Sequence, residues 1–389
     1  GKFSISANED DILVFSYVGY ATQEIIVGNQ RNISVQLQPD ATLLDDVVVV
    51  AYGVQRKSDV TGAIASTNEE DFNKGIVVNP GQLLQGKVAG VNVSSVSGEP
   101  GAAQNVIIRG IGSLRSGTTP LYVVDGFVLD NTSTGVASNP LNFINPQDIA
   151  SIDVLKDASA AAIYGARAAN GVVVITTKRG NAGRSEVNVA ASTAWSTIAN
   201  KIDVFGADEF RRQVTAIGGR LDDFGGNTDW QDELTQTGMS NTINLSLSGA
   251  ANDKFTYYAS VGYQDQEGIL KNSSLERYSG RLNINQTALN GRLKIDYNLT
   301  AARTENLRPN ITSTLVDMLE LNPTIDPFEA DGNPTVFDEN RINPIARNEI
   351  YSDEAINNRF LASISPSIEI VNGLTYKLNL GVDYSNTSR

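Results

Sequence analysis

A chain of 389 residues with a formal net charge of −14 has room for two or three modules and carries the wrong sign for nucleic-acid phosphates. It contains no cysteine and no histidine, which removes thiolate and imidazole metal sites, disulfides, and Ser-His-Asp or Cys-His catalysis. No apolar run is long enough for a membrane-crossing helix, but alternating β-barrel strands escape that test, and the mean hydropathy of −0.17 suits them.

The chain starts at Gly1 without Met or a signal peptide and stops after a strand-like segment, so a piece of a longer protein is expected. Residues 1–39 read as short strands: FSISA, ILVFSYVGY, TQEIIVG and ISVQLQP, with turns at Asp10-Asp11 and Gly28-Asn29. Three or four such strands make an incomplete sandwich with open edges. Residues 40–58 form a linker with an apolar centre. Four consecutive valines lie between Asp45-Asp46 and Arg56-Lys57, as in a lone strand with charged gatekeepers. Two readings stand: a buried strand of the next module, or a strand held in reserve to extend a partner's sheet.

Residues 59–180 have the signals of a small mixed α/β globule. Asn79-Pro80 opens a helix, GQLLQGKVAG, ended by Gly90. VNVSS and NVIIRGIGS are strands. In the second, Arg109 precedes Gly110 and Gly112, and it either braces the globule or pairs with an acid outside it and breaks on gating. LYVV and FVL flank Asp125-Gly126, the strongest short hairpin signal. SIDVLK ends at Lys156; Asp157 then caps the small-residue helix ASAAAIYG, with Tyr164 before its closing Gly165. Asn170-Gly171 turns the chain into VVVITTK, a β-branched buried strand. RGIGSLRSG lacks the ending of a phosphate loop and the spacing of a dinucleotide fingerprint.

This near-continuous run from Leu121 to Lys178 resembles the plug signature of the SusC/RagA family of TonB-dependent outer-membrane transporters. VIIRGIGS upstream resembles the same family's plug motif, and the positions that carry the resemblance are Arg109, Gly110 and Gly112 there and Asp125, Gly126, Lys156, Asp157, Tyr164, Gly165, Asn170 and Gly171 in the run. The resemblance implies that Asp46, Val47, Val48, Val49, Val50, Ala51 and Tyr52 are a TonB-box-like segment. ILVFSYVGYATQEI resembles the later half of the carboxypeptidase-regulatory-like β-sandwich, a non-catalytic accessory fold that precedes the plug in this family.

After Gly180 seven segments alternate over about ten residues each, the period and length of transmembrane β-strands: EVNVAASTAWS, SNTINLSLSGA, KFTYYASVGYQDQ, RYSGRLNINQTA, LKIDYNLTAAR, RFLASISPSIEI and LTYKLNLGVDYS. Taken alone they fit a soluble β-sandwich equally well. With a plug-like globule upstream, residues 181–389 are expected to be the first strands of a barrel of about 22 strands, because about eight could not enclose it. Short connections suit a periplasmic side, and the polar stretches 198–238 and 304–353 suit extracellular loops. The acidic residues Asp326, Glu329, Asp331 and Asp338 do not fit an EF-hand, since Gly332 would put Pro327 at the first ligand position. VDMLELNP is a short helix candidate ended before Pro323.

The expected protein is therefore mainly β: part of a β-sandwich, an α/β plug, and an incomplete barrel. The resemblance implies import of an oligosaccharide or peptide across the outer membrane, with the plug on the periplasmic side. Its implied partners are TonB with ExbB–ExbD, a SusD-like surface lipoprotein and outer-membrane lipid, with no nucleic acid, no cofactor and no metal. A surface receptor that binds without transport would use the same parts. Enzymatic activity is disfavoured by the missing His and Cys.

Overall fold

The structure, a computed structural model, describes residues 11–17, 20–28, 47–50, 53–56, 64–73, 77–112, 117–129, 140–157, 161–181, 185–252, 254–337, 342–351 and 353–389, with a few isolated positions besides. Two units result, Gly1–Thr61 and Gly62–Arg389. In the first, β1 (Ile12–Tyr17) and β2 (Tyr20–Ile26) form one antiparallel pair. A second pair joins β3 (Val47–Val50) to β4 (Gly53–Arg56), from Val47 opposite Arg56 to Val50 opposite Gly53. The expected strands FSISA and ISVQLQP fall almost wholly outside the described residues. So do Asp46, Ala51 and Tyr52.

The second unit begins with the globule. Its strands are β5 (Ile64–Asn68), β6 (Val91–Ser95), β7 (Gln104–Ile108), β8 (Leu121–Val124), β9 (Phe127–Val128), β10 (Ile149–Leu155) and β11 (Val172–Thr177). Five of them form a sheet in the order β5-β10-β11-β8-β9, while β6 and β7 pair separately. Only β8 and β11 run parallel. Covered on both faces, β11 opens as an apolar run, VVVI, rather than an alternating one. Ile152, Val154, Val173 and Ile175 are essentially inaccessible, and each such side chain contributes about 1.5–3 kcal/mol by leaving water.

Turn chemistry acts where the sequence places it. Asp125 and Gly126 have φ of 49° and 83°, the paired left-handed conformation of a two-residue hairpin turn. Gly171 has φ of 88°, and a Cβ there would lie 2.7 Å from Ile108 and 3.0 Å from the Leu155 carbonyl. Gly171→Val is thus expected to destabilise the globule by about 2–4 kcal/mol, combining left-handed strain with overpacking. Limited proteolysis of the full-length protein checks this through earlier cleavage within residues 64–178.

The helices are shorter than the sequence suggests. GQLLQGKVAG contributes α1 (Pro80–Leu83), capped by the Asn79 side chain, and then a series of turns in which Gly86 and Gly90 have positive φ. In ASAAAIYG, Ala161 is α-helical, its N–H bonding the Asp157 carbonyl at 3.0 Å, and Ala162–Ala168 then forms two 3-10 turns broken at Gly165 (φ 69°, ψ −160°). Three small residues of that segment, 158–160, lie outside the description.

Beside the globule stands an eight-stranded antiparallel sheet, here called the wall. It comprises β12 (Glu186–Ser196), β13 (Gly238–Asn252), β14 (Phe255–Glu267), β15 (Ser274–Ala288), β16 (Leu293–Arg308), β17 (Asp353–Val371), β18 (Leu374–Lys377) and β19 (Leu380–Ser388). Both β18 and β19 pair with β17, so LTYKLNLGVDYS acts as one interrupted strand. Most strands exceed the expected ten residues, because pairing continues into the polar ends. Among the described residues the wall is an open sheet.

The two faces of the wall are opposite in character. One cross-strand row reads Val189, Leu245, Val261, Gly280, Ala301, Phe360, Tyr384, and its large side chains are 41–67% exposed. The parallel row Val187, Leu247, Ala259, Leu282, Leu299, Ala362, Val382 is also wholly apolar. Tyr263 and Tyr278, with rings 5.1 Å apart, border this band on one side; Tyr257 and Tyr297 border it on the other. The opposite face carries Ser246, Ser260, Arg281, Thr300 and Leu361 in one row, all buried against the globule. Apolar out, polar in, with aromatic borders, is the pattern of a transmembrane barrel wall. No helix among the described residues is long and apolar enough to cross a membrane.

The two long connections are not featureless loops. Residues 197–237 contain α2 (Ala207–Ala216) and α3 (Trp230–Leu234), while 309–352 contain α4 (Ile311–Glu320) and α5 (Pro344–Ile350). They dock on each other. Trp230 Nε1 donates to the Asn322 carbonyl at 3.2 Å, Thr228 Oγ1 to the Ile325 carbonyl at 2.7 Å, and the Trp230 ring meets Phe337 edge-on.

Candidate functional site

The site is the boundary between globule and wall. Its centre is Asp125, lifted toward the wall by the hairpin turn of β8 and β9. The Thr177 amide donates to Asp125 Oδ1 at 3.0 Å and its hydroxyl to Oδ2 at 2.7 Å. From the wall, Arg281 donates to the same carboxylate and to Thr177 Oγ1, and at 2.9 Å to Thr300 Oγ1. Both charged side chains are 2% exposed. Asn283, two residues along the same face of β15, donates to Thr177 Oγ1 at 3.1 Å and to the Lys178 carbonyl at 2.8 Å.

Four further wall residues, Tyr258, Asn244, Arg277 and Arg359, key the globule into the wall. The Tyr258 hydroxyl donates to Asp148 at 2.8 Å, and Asn145 Nδ2 donates to Asn244 at 3.0 Å. Arg277 donates to the carbonyls of Val78 (3.0 Å) and Asn142 (3.1 Å), and also to Gln264. At β17, Arg359 donates to the Pro140 carbonyl at 2.9 Å, lies 4.5 Å from the centre of the Phe143 ring, and is clamped by Asp383 on β19. Apolar packing joins these bonds: Ala302 and Leu361 of the wall belong to the globule's own core.

Electrostatics favour the charged form at the centre. Burial alone would push the Asp125 carboxyl up; Arg281, then the more distant Arg179 and the Thr177 hydrogen bonds, outweigh it and hold the group below the usual carboxylate range. A carboxyl lowered on folding contributes stability that is complete above its unfolded pKa and is lost as pH falls through its folded value. The seal should therefore be insensitive to pH from 7 down to about 4 and weaken only below that. Leak conductance of the full-length protein in planar bilayers checks this, and Asp125→Asn should abolish the acid step.

The other plug-signature residues fall into two clusters and the broken 3-10 segment of the globule. Arg109 (φ 57°) pairs with Asp157, not with a wall acid, and both side chains are partly exposed. Its backbone N–H donates to the Gly90 carbonyl at 2.7 Å, and neighbouring Lys156 Nζ donates to the Ala89 carbonyl at 3.1 Å. Together with Gly110 they tie the end of β7 to the end of β10. Asn170 Nδ2 donates to the carbonyls of Gly117 and Thr119 at 3.1 and 3.3 Å, beside Gly112 and Gly171. Tyr164 and Gly165 lie in the broken 3-10 segment. Within this set it is Asp125 that reaches the wall, through its bond from Arg281.

Sequence reasoning missed the wall's half of the site: Asn244, Tyr258, Arg277, Arg281, Asn283 and Arg359. The usable signal was parity. In RYSGRLNINQTA, Arg277, Arg281 and Asn283 share the face opposite Tyr278, Leu282 and Ile284.

A mixed α/β globule bonded through buried polar groups to the polar face of an apolar-backed β-wall defines a class, the plugged β-barrel receptors. The family described as the TonB-dependent Receptor Plug Domain matches residues 56–172. The chain is 35% identical to the TonB-dependent receptor SusC of Bacteroides thetaiotaomicron, an alignment covering 94% of this chain and 39% of that protein. It is 38% identical to a TonB-dependent receptor of Formosa agariphila, covering 93% and 37%. Among solved structures it is similar to the RagAB peptide importer in its 'open-open' state, with TM-score 0.76 and 30% identity over 88% of this chain and 42% of that one. The chain therefore carries the plug domain of TonB-dependent receptors and is similar over nearly all of its length to receptors of the SusC and RagAB type. It spans about two fifths of the length of the curated relatives it matches.

Proposed function

We propose that the protein of which this chain is part imports an oligosaccharide or a peptide across the bacterial outer membrane, driven by TonB with ExbB–ExbD and assisted by a SusD-like surface lipoprotein. The observation that carries the reading is the seal: a globule stoppers the polar face of a membrane-type wall through the buried Arg281–Asp125 pair and the contacts around it. A stopper fixed this firmly needs work to move it. The likeness to relatives named as TonB-dependent receptors, and to one described as a peptide importer, supports the same reading.

The wall lies in the outer membrane with its apolar band toward lipid, and the plug and N-terminal unit face the periplasm. The barrel closes at about 22 strands. Residues 1–39 are the later part of a carboxypeptidase-regulatory-like sandwich, 59–180 the plug, and 181–389 the beginning of the barrel. Residues 46–52 are the TonB box, the handle on which TonB pulls. Within the first unit β3 already lies in the extended conformation, paired on one side with β4. A TonB strand adds to its other edge, where backbone bonds share the load.

Uptake of the solute by cells producing the full-length protein tests this. Deleting residues 46–53 is expected to abolish import while leaving surface level and solute binding intact. Unchanged import at normal surface level would refute the role of the segment, and binding without any import in the undeleted protein would favour a receptor.

A further inference from the structure

Three connections meet at one end of the wall: 197–237, 268–273 and 309–352. The middle one is short, closed by a bond from the Gly268 N–H to the Ser273 carbonyl at 2.7 Å. It touches both of its long neighbours. Toward the first, the Lys271 N–H donates to the Leu234 carbonyl at 3.1 Å, the Gln236 N–H to the Ile269 carbonyl at 2.8 Å, and Thr235 bridges Leu270. Toward the second, Asn272 Nδ2 donates to the Asn348 carbonyl of α5 at 2.6 Å.

The same short hairpin rests on the plug. Leu275, at the start of β15 and 1% exposed, sits so close over Gly101 that a methyl group there would collide with it. A methyl on Gly268 would lie 3.0 Å from Pro100. Gly101 has φ of 71°, its carbonyl accepts from Asn142 Nδ2 at 2.9 Å, and Asn142 in turn accepts from Asn79, the cap of α1, at 2.6 Å. A path of hydrogen bonds and close packing therefore runs from α3 and α5, through the 268–273 connection and the adjoining Leu275, to plug loop 97–102 and the first plug helix.

We propose that the 268–273 connection is a transmission element, by which the placement of the two long connections sets the placement of plug loop 97–102. The contacts with the long connections lie on the turn, and those with the plug lie on its first residue, Gly268, and on the adjoining Leu275, so turn and strand start move as one body rather than deforming between them. Close-packed elements shift between discrete arrangements instead of yielding gradually. Taken with the import reading, a solute seated among the long connections would bias the plug before any pull arrives. The structural coupling itself does not rest on that reading.

Coupling is reciprocal, so it must show from either side. The experiment is amide hydrogen exchange on the full-length protein in detergent micelles, comparing wild type with Asn272→Gly and Gly101→Ala. Asn272 has φ of 59°, so glycine keeps the left-handed turn and removes only the side-chain bond to α5. Asn272→Gly is expected to speed exchange at residues 97–108 about fivefold or more, with β10 and β11 unchanged. Gly101→Ala, acting from the plug side, is expected to speed exchange at 231–236 and 344–350. Should Gly101→Ala fail to assemble, Leu275→Ala probes the same contact by deletion, and its expected reach is the same. Changes confined to the mutated side in both directions would overturn the proposal. The readout uses neither solute nor energy source, so its failure leaves the import reading standing, and failure of import leaves the coupling standing.

Discussion

Arg281→Ala should unseat the plug. The guanidinium is the charged partner that the wall supplies to Asp125, and removing it strands a carboxylate that is 2% exposed. Leaving one member of a buried pair unpartnered costs about 3–5 kcal/mol, far more than the pair itself is worth against an apolar replacement. The expected result is a raised resting conductance in planar bilayers and faster exchange at the hairpin of β8 and β9. The control is the double substitution Asp125→Asn with Arg281→Met. It removes both charges together, leaves no buried ion, and should close most of the leak. If the single and double variants leak equally, the seal is made by packing, with Leu361 and Ala302 as its wall contribution, and not by the charge pair.

The second large effect concerns the handle. Val48→Pro is expected to reduce import to the background of the residue 46–53 deletion. Proline removes a backbone donor and clashes with pairing in a strand interior, so it blocks addition of a partner strand without altering net charge. Val48 pairs with Gln55 of β4, and the substitution would also loosen that hairpin. Val48→Thr separates the two consequences: it keeps the donor and the β-branched shape, and import should persist. Solute binding by purified protein should be the same for all three, since the plug and wall are a separate unit.

Much of this architecture can be read from the residues. The wall strands betray themselves by period-two alternation, as in TINLSLSG, where Ile243, Leu245 and Leu247 do face outward and are 41–52% exposed. The Asp125-Gly126 turn needs no tertiary help, since few residue pairs adopt two left-handed conformations in succession. Helix lengths are less legible. GQLLQGKVAG has helical composition, but tertiary packing against β6 and β7 selects turns with positive φ at Gly86 and Gly90.

The polar lock is the hardest to read. Alternation assigns Arg277 and Arg281 to the inner face, yet a lumen-facing arginine in water and one buried against a plug have the same local sequence. What distinguishes them is a partner more than a hundred residues away, Asp125 or the carbonyl of Val78, which no local pattern encodes. Arg109 draws attention for the opposite reason: its neighbours are distinctive, but its partner Asp157 lies within the same globule.

Site-directed spin labelling of the full-length protein in lipid vesicles tests the central claim most directly. Labels at Val261, Leu282 and Leu299 should be quenched by membrane-dissolved oxygen and shielded from a water-soluble nickel reagent, while a label at Asn283 should be shielded from both by the plug. Nickel access at all three outward positions would put the apolar face of these strands in water and contradict a membrane wall, and nickel access at Asn283 would contradict the plug seal.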